Sequence, residues 1–211
     1  MKVVVLWSGG VESTSVLLWA LQQPGMDVHA HFVELHNQER RHLCERRAIN
    51  ALRPMLQQHG EFTFGRSAVA VMDGNATAID AELLYPIGRV VMRHLEAERV
   101  LRGWCAEDEW MRCQGAAPMR WRGPRKRFEH IANAALGEGA DVIAPWLPMY
   151  AQTKAWHWAT LGAMAKHTWS CRRPVGEAPC GICHSCLERA AAERGQSGLV
   201  FPAMASSPHA R

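Results

Sequence analysis

Four cysteines near the carboxyl end have the spacing of a metal site. Cys171 is followed by Cys180, Cys183 and Cys186, so two overlapping Cys-x-x-Cys pairs lie close together in the chain. Four thiolates complete the tetrahedral coordination of zinc and leave no position open for water, which makes such a metal structural. We predict a zinc knuckle here. An iron–sulfur centre, which uses similar ligands, is the alternative.

A second group of residues with chemical potential lies at the amino end. The apolar run 2–7 leads directly into Ser8-Gly9-Gly10, and an apolar-periodic helix is predicted over 13–22. A strand–glycine–helix junction points unpaired backbone N–H groups and the positive end of a helix dipole at one place, which favours phosphate. The segment is neither a Walker A loop nor a dinucleotide-binding turn. It predicts a phosphate site of another type.

The elements that must position these residues alternate between strand and helix. Strands are predicted at 2–7, 27–33, 68–72, 99–103 and 141–145, a loop at 74–81, and helices at 13–22, 40–58, 87–95, 128–136, 153–165 and 187–194. This alternation predicts an α/β fold, a doubly wound parallel sheet with helices on both faces and ligands at the carboxyl ends of the strands. We assign residues 1–165 to that domain, 166–194 to a zinc-binding segment packed on it, and 195–211 to a flexible tail.

Composition is that of an ordinary globular protein, with 211 residues, 48% hydrophobic and 21% charged. No apolar stretch approaches the roughly 20 residues that span a bilayer, and the start lacks a signal-peptide core, so we expect a cytoplasmic protein without a membrane partner. A net charge of +4 is too small to indicate nucleic-acid binding. The basic run 120–127 is either a solvated loop or a contact surface for a phosphate-bearing substrate, RNA or an acidic partner.

The loop at residues 8–14 resembles the PP-loop, Ser-Gly-Gly-x-Asp-Ser, of ATP pyrophosphatases, a superfamily also described as adenine nucleotide alpha hydrolase-like. Together with the carboxyl-terminal quarter, it resembles the 7-cyano-7-deazaguanine synthase family, QueC. The motifs that carry this resemblance are Thr153-Lys154-Ala155, Thr168-Trp169-Ser170-Cys171 and Cys180-Gly181-Ile182-Cys183-His184-Ser185-Cys186, with weaker matches at 87–90 and 102–108.

Several positions depart from the family pattern. Glu12 stands where the PP-loop carries aspartate, and Val90 replaces an asparagine. The family's Gly-Tyr-Pro-Asp-Cys-Arg segment is replaced near 113–122, and its Gln-Arg-His motif survives only with an insertion at 38–42. The nucleotide and zinc motifs are therefore kept, whereas some of the segments expected around the substrate differ from the family pattern.

The resemblance implies an ATP-dependent ligase with AMP and pyrophosphate as products. It would adenylate the carboxylate of 7-carboxy-7-deazaguanine, form an amide with ammonia and then the nitrile, using Mg²⁺ and a structural Zn²⁺. The catalytic residues it implies are Glu12, Ser13, Arg89 and Lys154. The residues it implies for ATP binding are Trp7, Ser8, Gly9, Gly10, Val11, Glu12, Ser13, Thr14, Ser15, Val16 and Leu17.

Three alternatives stay open at this point. A defence-type relative would attach the deazaguanine to an amine of a protein partner and stop at the amide. A tRNA-modifying PP-loop enzyme would share the loop, and an inactive nucleotide-binding module would share the fold. We also expect the protein to form a homodimer.

Overall fold

The computed structural model describes residues 1–37, 40–70, 80–106, 149 and 152–196. Its elements, in chain order, are β1 (Lys2–Leu6), α1 (Val11–Leu21), β2 (Asp27–His36), α2 (His42–Leu56), β3 (Thr63–Ala70), α3 (Asp80–His94), β4 (Arg99–Arg102), α4 (Lys154–Leu161), a 3₁₀ helix (Gly162–His167) and α5 (His184–Glu193). Among the described helices, none combines the length and apolar character that a bilayer span requires.

The four described strands form one parallel sheet in the order β3-β2-β1-β4. Val4 of β1 lies between His29 of β2 and Val100 of β4. The three valines at 3–5 are fully buried, as expected for a strand covered on both faces. The predicted doubly wound α/β fold is therefore confirmed in the described part of the chain.

Two apolar layers cover the two faces of this sheet. On one face Val3, Val5 and Phe32 pack with α1, α2 and α4 around buried residues such as Leu17 and Leu52. On the other face Val4, Leu6, Val33, Leu35 and Val100 pack against α3. The carboxyl ends of β1, β2 and β4 therefore share one edge, where the glycine loop begins.

Several predicted boundaries are wrong. The third strand is Thr63–Ala70 rather than 68–72, and β2 continues to His36, because residues 34–36 pair with 68–70 of β3. The polar residues Thr63 and Ser67 concealed this edge strand, since their hydroxyls contact histidines of β2 instead of an apolar core.

Two helices also differ from their predicted spans. α3 begins at Asp80, seven residues before the predicted start, and includes part of the predicted loop at 74–81 as well as Pro86. Proline is disfavoured in the interior of a helix, but this helix continues through Pro86. The helix predicted over 153–165 ends at Leu161, where Gly162 has φ 53°, and continues as a 3₁₀ helix. The elements predicted at 128–136 and 141–145 lie outside the described residues.

Candidate functional site

The glycine loop joins β1 to α1 at the carboxyl edge of the sheet. Gly9 has φ +73°, and a Cβ atom there would lie 3.1 Å from the Cβ of Ala48 and 3.2 Å from the backbone oxygen of Glu45. Only glycine combines this backbone angle with so close an approach to α2. Gly10 forms the N-cap of α1 without a side-chain capping hydrogen bond. The start of α1 therefore has no side-chain cap, and an anionic ligand could take the place of one.

Gly103, at the end of β4, closes this loop from the other side. A Cβ atom on Gly103 would lie 2.5 Å from the backbone nitrogen of Ser13 and 2.9 Å from its Cα. A side chain at this position would therefore displace the first turn of α1. This contact gives the Arg102-Gly103 strand end, noted only as a weak sequence match, a physical role in shaping the loop.

The loop hydroxyls are arranged by hydrogen bonds within the loop. The backbone N–H of Ser8 donates to Oγ of Ser13 at 3.3 Å, and the two hydroxyl oxygens lie 3.2 Å apart. Ser13 in turn donates to the carbonyl of Gly10 at 3.3 Å. Thr14 is directed elsewhere, because its fully buried hydroxyl accepts from the indole N–H of Trp7 at 3.0 Å. Ser8 and Ser13 are the hydroxyls that face the open side of the loop.

Lys154 connects this loop to the carboxyl-terminal helix. Its Nζ atom lies 2.9 Å from Oε1 of Glu12 and 2.6 Å from Oε2 of Glu188, on α5. The other oxygen of Glu188 lies 2.8 Å from Nε2 of His184. One buried cation therefore joins the loop carboxylate to a carboxylate of the cysteine-rich segment.

Pairing stabilises the charged forms of Glu12, Lys154 and Glu188 more than burial destabilises them. Burial disfavours the ionised form of each member, but Lys154 holds the pKa of Glu12 below its usual value. The two carboxylates likewise raise the pKa of Lys154 well above its usual value despite the cost of burial. Burial opposes ionisation of Glu188 too, yet hydrogen bonding from His184 and the charge of Lys154 lower its pKa to about 2. All three groups are charged at neutral pH.

A cavity of about 350 Å³ opens in front of the loop. Its size is within the range of small-molecule sites. The residues that line it come from the loop, the strand ends, the start of α2, α3, α4 and the cysteine-rich segment: Leu6, Trp7, Ser8, Gly10, Glu12, Ser13, His31, Val33, Arg41, Glu45, Leu84, Arg102, Gly103, Lys154, Trp169, Ser170, Cys171, Arg172, His184, Ser185 and Glu188.

Positively charged side chains surround this cavity at several points. Arg102 is the last residue of β4, Arg172 follows the first cysteine, and Arg41 is the N-cap of α2, paired at 3.2 Å with Glu45. The sequence prediction placed only Lys154 and Arg89 near phosphate. Lys154 is at the cavity, whereas Arg89 is buried within α3 and is not among the described lining residues.

Most of the remaining predicted ATP-binding residues lie behind the loop. The side chains of Val11, Val16 and Leu17 are fully buried in the core beneath it, and Ser15 is buried as well. Their part in the site is to fix the position of α1. The segment predicted to be altered near 113–127, including the basic run, lies outside the described residues.

The four cysteines form a compact cluster, with their sulfur atoms within 4.8 Å of one another. Sγ of Cys171 lies 3.6 Å from Cys180 and 4.0 Å from Cys183, and Cys180 lies 4.0 Å from Cys186. Zinc–sulfur bonds of 2.3 Å in a tetrahedron place the sulfurs about 3.8 Å apart. A multi-iron cluster holds its cysteines further apart, because several metal atoms lie between them. The observed spacing fits one tetrahedral ion.

Backbone N–H groups support thiolate charge in this cluster. Cys180 N donates to Cys171 Sγ and Cys183 N to Cys180 Sγ, each at 3.3 Å, and Gly181 takes the left-handed φ of 75° that this turn requires. As a free thiol, Cys180 has a pKa lowered to about 6 by the N–H groups of Ile182 and Cys183, whereas burial raises the pKa of Cys186 to about 12. A bound ion must displace the remaining protons, so metal affinity rises with pH.

The cysteine-rich segment is attached directly to the glycine loop. The N–H of Trp169 donates to the carbonyl of Gly9 at 2.8 Å. Arg189 of α5 donates to the carbonyl of Thr168 at 2.6 Å and to its hydroxyl at 3.0 Å, and its guanidinium stacks over Trp158 at 4.8 Å. The predicted zinc segment is thus part of the wall of the candidate active site.

Sequence reasoning missed Glu188 and treated His184 as a bystander of the metal. The signal available was their i,i+4 spacing, which places both on one face of α5. Nothing in that spacing identifies Lys154 as the partner, since Lys154 lies 34 residues earlier.

Comparison with known proteins places the chain in a family. Residues 82–195, more than half of the chain, match the family described as "Queuosine biosynthesis protein QueC". The chain belongs to the QueC family. In the part of this match that the structure describes are Lys154, all four clustered cysteines and Glu188.

The fold is shared with the solved structure of a tRNA thiolase. The U34-tRNA thiolase NcsA from Methanococcus maripaludis, solved with its [4Fe-4S] cluster, is similar over 92% of this QueC-family chain, with a TM-score of 0.54 and 13% identity. This chain spans 63% of the thiolase. At that identity the likeness shows the fold alone. No curated protein matches the chain in sequence. The family match and the shared α/β fold agree with the sequence prediction, and the four cysteines could hold a metal ion.

Proposed function

We propose that this chain is an ATP-dependent ligase that adenylates the carboxylate of 7-carboxy-7-deazaguanine and forms its amide with ammonia. The carboxylate attacks the α-phosphate of ATP, pyrophosphate leaves, and ammonia then displaces AMP from the acyl-adenylate. The amide is the substrate for a second activation that yields the nitrile. The observation that supports this most directly is the cavity lined by the glycine loop, the Glu12–Lys154 pair and several arginines.

The proposed role of the loop is to hold the phosphates of ATP. Backbone amides at the start of α1 donate to phosphate oxygens, and the helix dipole stabilises their charge. Ser8 and Ser13 add hydroxyls on the same side. Because Gly9 and Gly103 hold the loop against α2 and β4, these donors are positioned before ATP arrives.

Lys154 is proposed to neutralise charge that develops on the pyrophosphate leaving group. Its raised pKa keeps the amine protonated, and its two carboxylate partners fix it at the cavity wall. Bound Mg²⁺ would neutralise charge on the phosphates. Glu12 is the loop carboxylate that would hold the ion or one of its waters, together with the hydroxyl of Ser13.

Release of pyrophosphate tests this proposal. Purified protein is mixed with ATP, Mg²⁺ and 7-carboxy-7-deazaguanine, with and without ammonia, and the products are identified by mass spectrometry. We expect pyrophosphate and AMP that depend on the deazapurine, and amide or nitrile when ammonia is present. If no added acceptor gives any release, the enzyme proposal is wrong and the nucleotide-binding module is supported.

Replacing Lys154 by methionine tests its proposed role, with circular dichroism used to confirm that the variant is folded. We expect pyrophosphate release to fall by about 10²–10³-fold, the size typical of losing one charge-stabilising group. Lys166→Met is the matched control, because Lys166 is an exposed lysine of the neighbouring 3₁₀ helix. Equal activity of the two variants would contradict the role given to Lys154.

The same assay distinguishes the conjugating alternative. In that case pyrophosphate is released but free amide and nitrile are absent, and an added partner protein gains the mass of the deazaguanine acyl group. A tRNA-dependent release would instead indicate a tRNA-modifying enzyme.

A further inference from the structure

A second cluster of metal-binding side chains lies away from the four cysteines. Glu34 and His36 lie near the carboxyl end of β2, and His42 is the first residue of α2. Their ligand atoms are within 4.8 Å of one another. None of the three is among the described residues that line the candidate active site. The cluster is therefore separate from the proposed ATP chemistry.

Strand geometry brings the first two ligands to one face of the sheet. Residues two apart in a strand point to the same side, so Glu34 and His36 both project toward the start of α2. Nε2 of His36 lies 3.1 Å from Oε1 of Glu34. The rings of His36 and His42 stack with centroids 4.3 Å apart and planes 20° apart. An acidic oxygen and two imidazoles thus meet where β2 ends and α2 begins.

The burial of the three side chains suits a site that is anchored but accessible. Glu34 has only 8% of its side chain exposed, whereas His36 has 46%. The ring of His42 is oriented by its stacking on His36, and its buried Nδ1 atom has no hydrogen-bond partner among the described residues, so it is available as a ligand. Glu34 and His42 can hold an ion in a fixed position, and the more exposed His36 can then rotate to complete the site.

We propose that Glu34, His36 and His42 form a second metal site, selective for zinc or a similar divalent transition ion. Two imidazoles and one carboxylate favour such ions over Mg²⁺ and Ca²⁺, which prefer oxygen ligands alone. Three protein ligands leave coordination positions open for water or an anion. The site thereby differs from the closed four-cysteine cluster in both chemistry and exposure.

Binding requires a small rearrangement. Bonds of about 2.0–2.2 Å place the ligand atoms of a tetrahedral ion about 3.4 Å apart, so the widest separation must shrink by roughly an ångström. Rotation of the half-exposed His36 supplies that movement without a change in the backbone. The stacked ring pair is the arrangement before the ion binds.

Arg46 competes with the ion for Glu34. Its Nη1 atom lies 3.8 Å from Oε1 of Glu34, and its side chain is 45% exposed. A long, exposed contact of this kind contributes little and can be displaced. Arg46 therefore weakens binding of the ion without blocking it. Replacing Arg46 should raise the affinity for zinc, whereas replacing a ligand should lower it.

The test is a zinc titration of the full-length protein against a chromophoric chelator, with bound zinc also counted by metal analysis. We expect His36→Ala and Glu34→Gln to bind one equivalent fewer than the wild type, or to weaken that equivalent more than about 100-fold. Arg46→Gln should bind the same equivalent about two- to fivefold more tightly. Excess Mg²⁺ should not displace it.

His59→Ala is the matched control, because His59 is an exposed histidine just after α2 and outside the cluster. Circular dichroism confirms that each variant is folded, and Glu34→Gln supplies the result if His36→Ala is unstable. The proposal is overturned if the wild type binds no more zinc than His36→Ala, or if His59→Ala loses the same equivalent.

Discussion

Glu12 is the residue at which this chain departs from the PP-loop pattern, and its contact with Lys154 shows how the longer side chain is used. The carboxylate reaches Nζ of Lys154 at 2.9 Å across the mouth of the cavity. An aspartate at this position would stop short by about the length of one carbon–carbon bond. From the sequence alone, Glu12 is a departure from the PP-loop pattern without a structural explanation. The structure makes it a partner of the one lysine predicted to act on phosphate.

Glu12→Asp therefore tests whether the glutamate is adapted to this site. Restoring the family residue should lower pyrophosphate release by about 10–100-fold, because a displacement near 1 Å at a reacting centre costs up to this much. Glu12→Gln, which keeps the length and removes the charge, should lose at least as much. Higher activity of Glu12→Asp than of the wild type would show instead that Glu12 is a defect in an otherwise typical loop.

For Glu188 we predict an effect on stability, because its charge stabilises the fold as well as the site. Its pKa of about 2 lies below the ordinary 4.5, so its ionisation stabilises the folded state at every pH above about 4.5. Glu188→Gln should lower the free energy of unfolding by about 2–3 kcal/mol at pH 7. Glu193→Gln, on the same helix and 48% exposed, should cost less than about 1 kcal/mol.

The pH dependence of that difference is specific. Since the wild-type carboxyl stays ionised, the gap between wild type and Glu188→Gln should be constant from about pH 8 to pH 5 in urea unfolding. It should shrink only below about pH 4.5, as the unfolded chain takes up the proton. A gap that already narrows near pH 6 would mean that the carboxyl is not held by Lys154.

At the scale of elements, α5 and the preceding cysteine turn act as one wall of the cavity. Trp169 holds the carbonyl of Gly9, and Glu188 holds Lys154. The cysteine cluster positions both contacts, because Cys171 follows Trp169 by two residues and Cys186 precedes Glu188 by two. A structural ion bound to the cysteines would therefore also stabilise the glycine loop, through Trp169 and Glu188.

Removal of the metal should therefore weaken ATP binding as well as the local fold. We expect the cysteine cluster to hold about one equivalent of zinc per chain, counted by metal analysis in His36→Ala so that the second site does not contribute. We also expect loss of the helical signal of α5 when Cys183 is replaced by serine. ATP affinity, followed by calorimetry, should fall in the same variant. Cys44→Ala, at a buried cysteine outside the cluster, is the control. Iron, or well under one equivalent of metal, would refute the zinc assignment.

For the whole molecule, the sequence predicted the features that depend on residues close together in the chain. The apolar valines of β1, the glycines of the loop and the spacing of the cysteines each have a nearly unique structural use, and these elements were placed correctly. The start of β3 was missed because its polar side chains are satisfied by histidines of β2. Glu12 and Lys154 were each predicted as site residues. Their contact with each other, and the part of Glu188 in it, were missed because they depend on how α4 and α5 pack against α1, which no local spacing encodes.

Those β2 histidines give a prediction about the stability of the whole fold. His29 and His31 lie on one face of β2, with His29 contacting Thr63 at 2.8 Å and His31 contacting Ser67 at 3.1 Å. Burial, and then the neighbouring His29, lower the pKa of His31 to about 4. Burial also lowers the pKa of His29. Because the unfolded histidines protonate near pH 6.5, stability is complete above that value and is lost progressively between about pH 6.5 and 4.

Replacing His31 by glutamine should flatten this part of the stability curve. Glutamine cannot take up the proton, so the free energy of unfolding should fall less between pH 7.5 and pH 5 than in the wild type. We expect a difference on the order of 1 kcal/mol after allowing for partial solvent screening. Urea unfolding at the two pH values measures it, with His59→Gln, at an exposed histidine, retaining the wild-type slope. An unchanged slope in His31→Gln would show that acid acts on the fold elsewhere. The four-cysteine cluster would then be the group to examine, because its thiolates also take up protons as the pH falls.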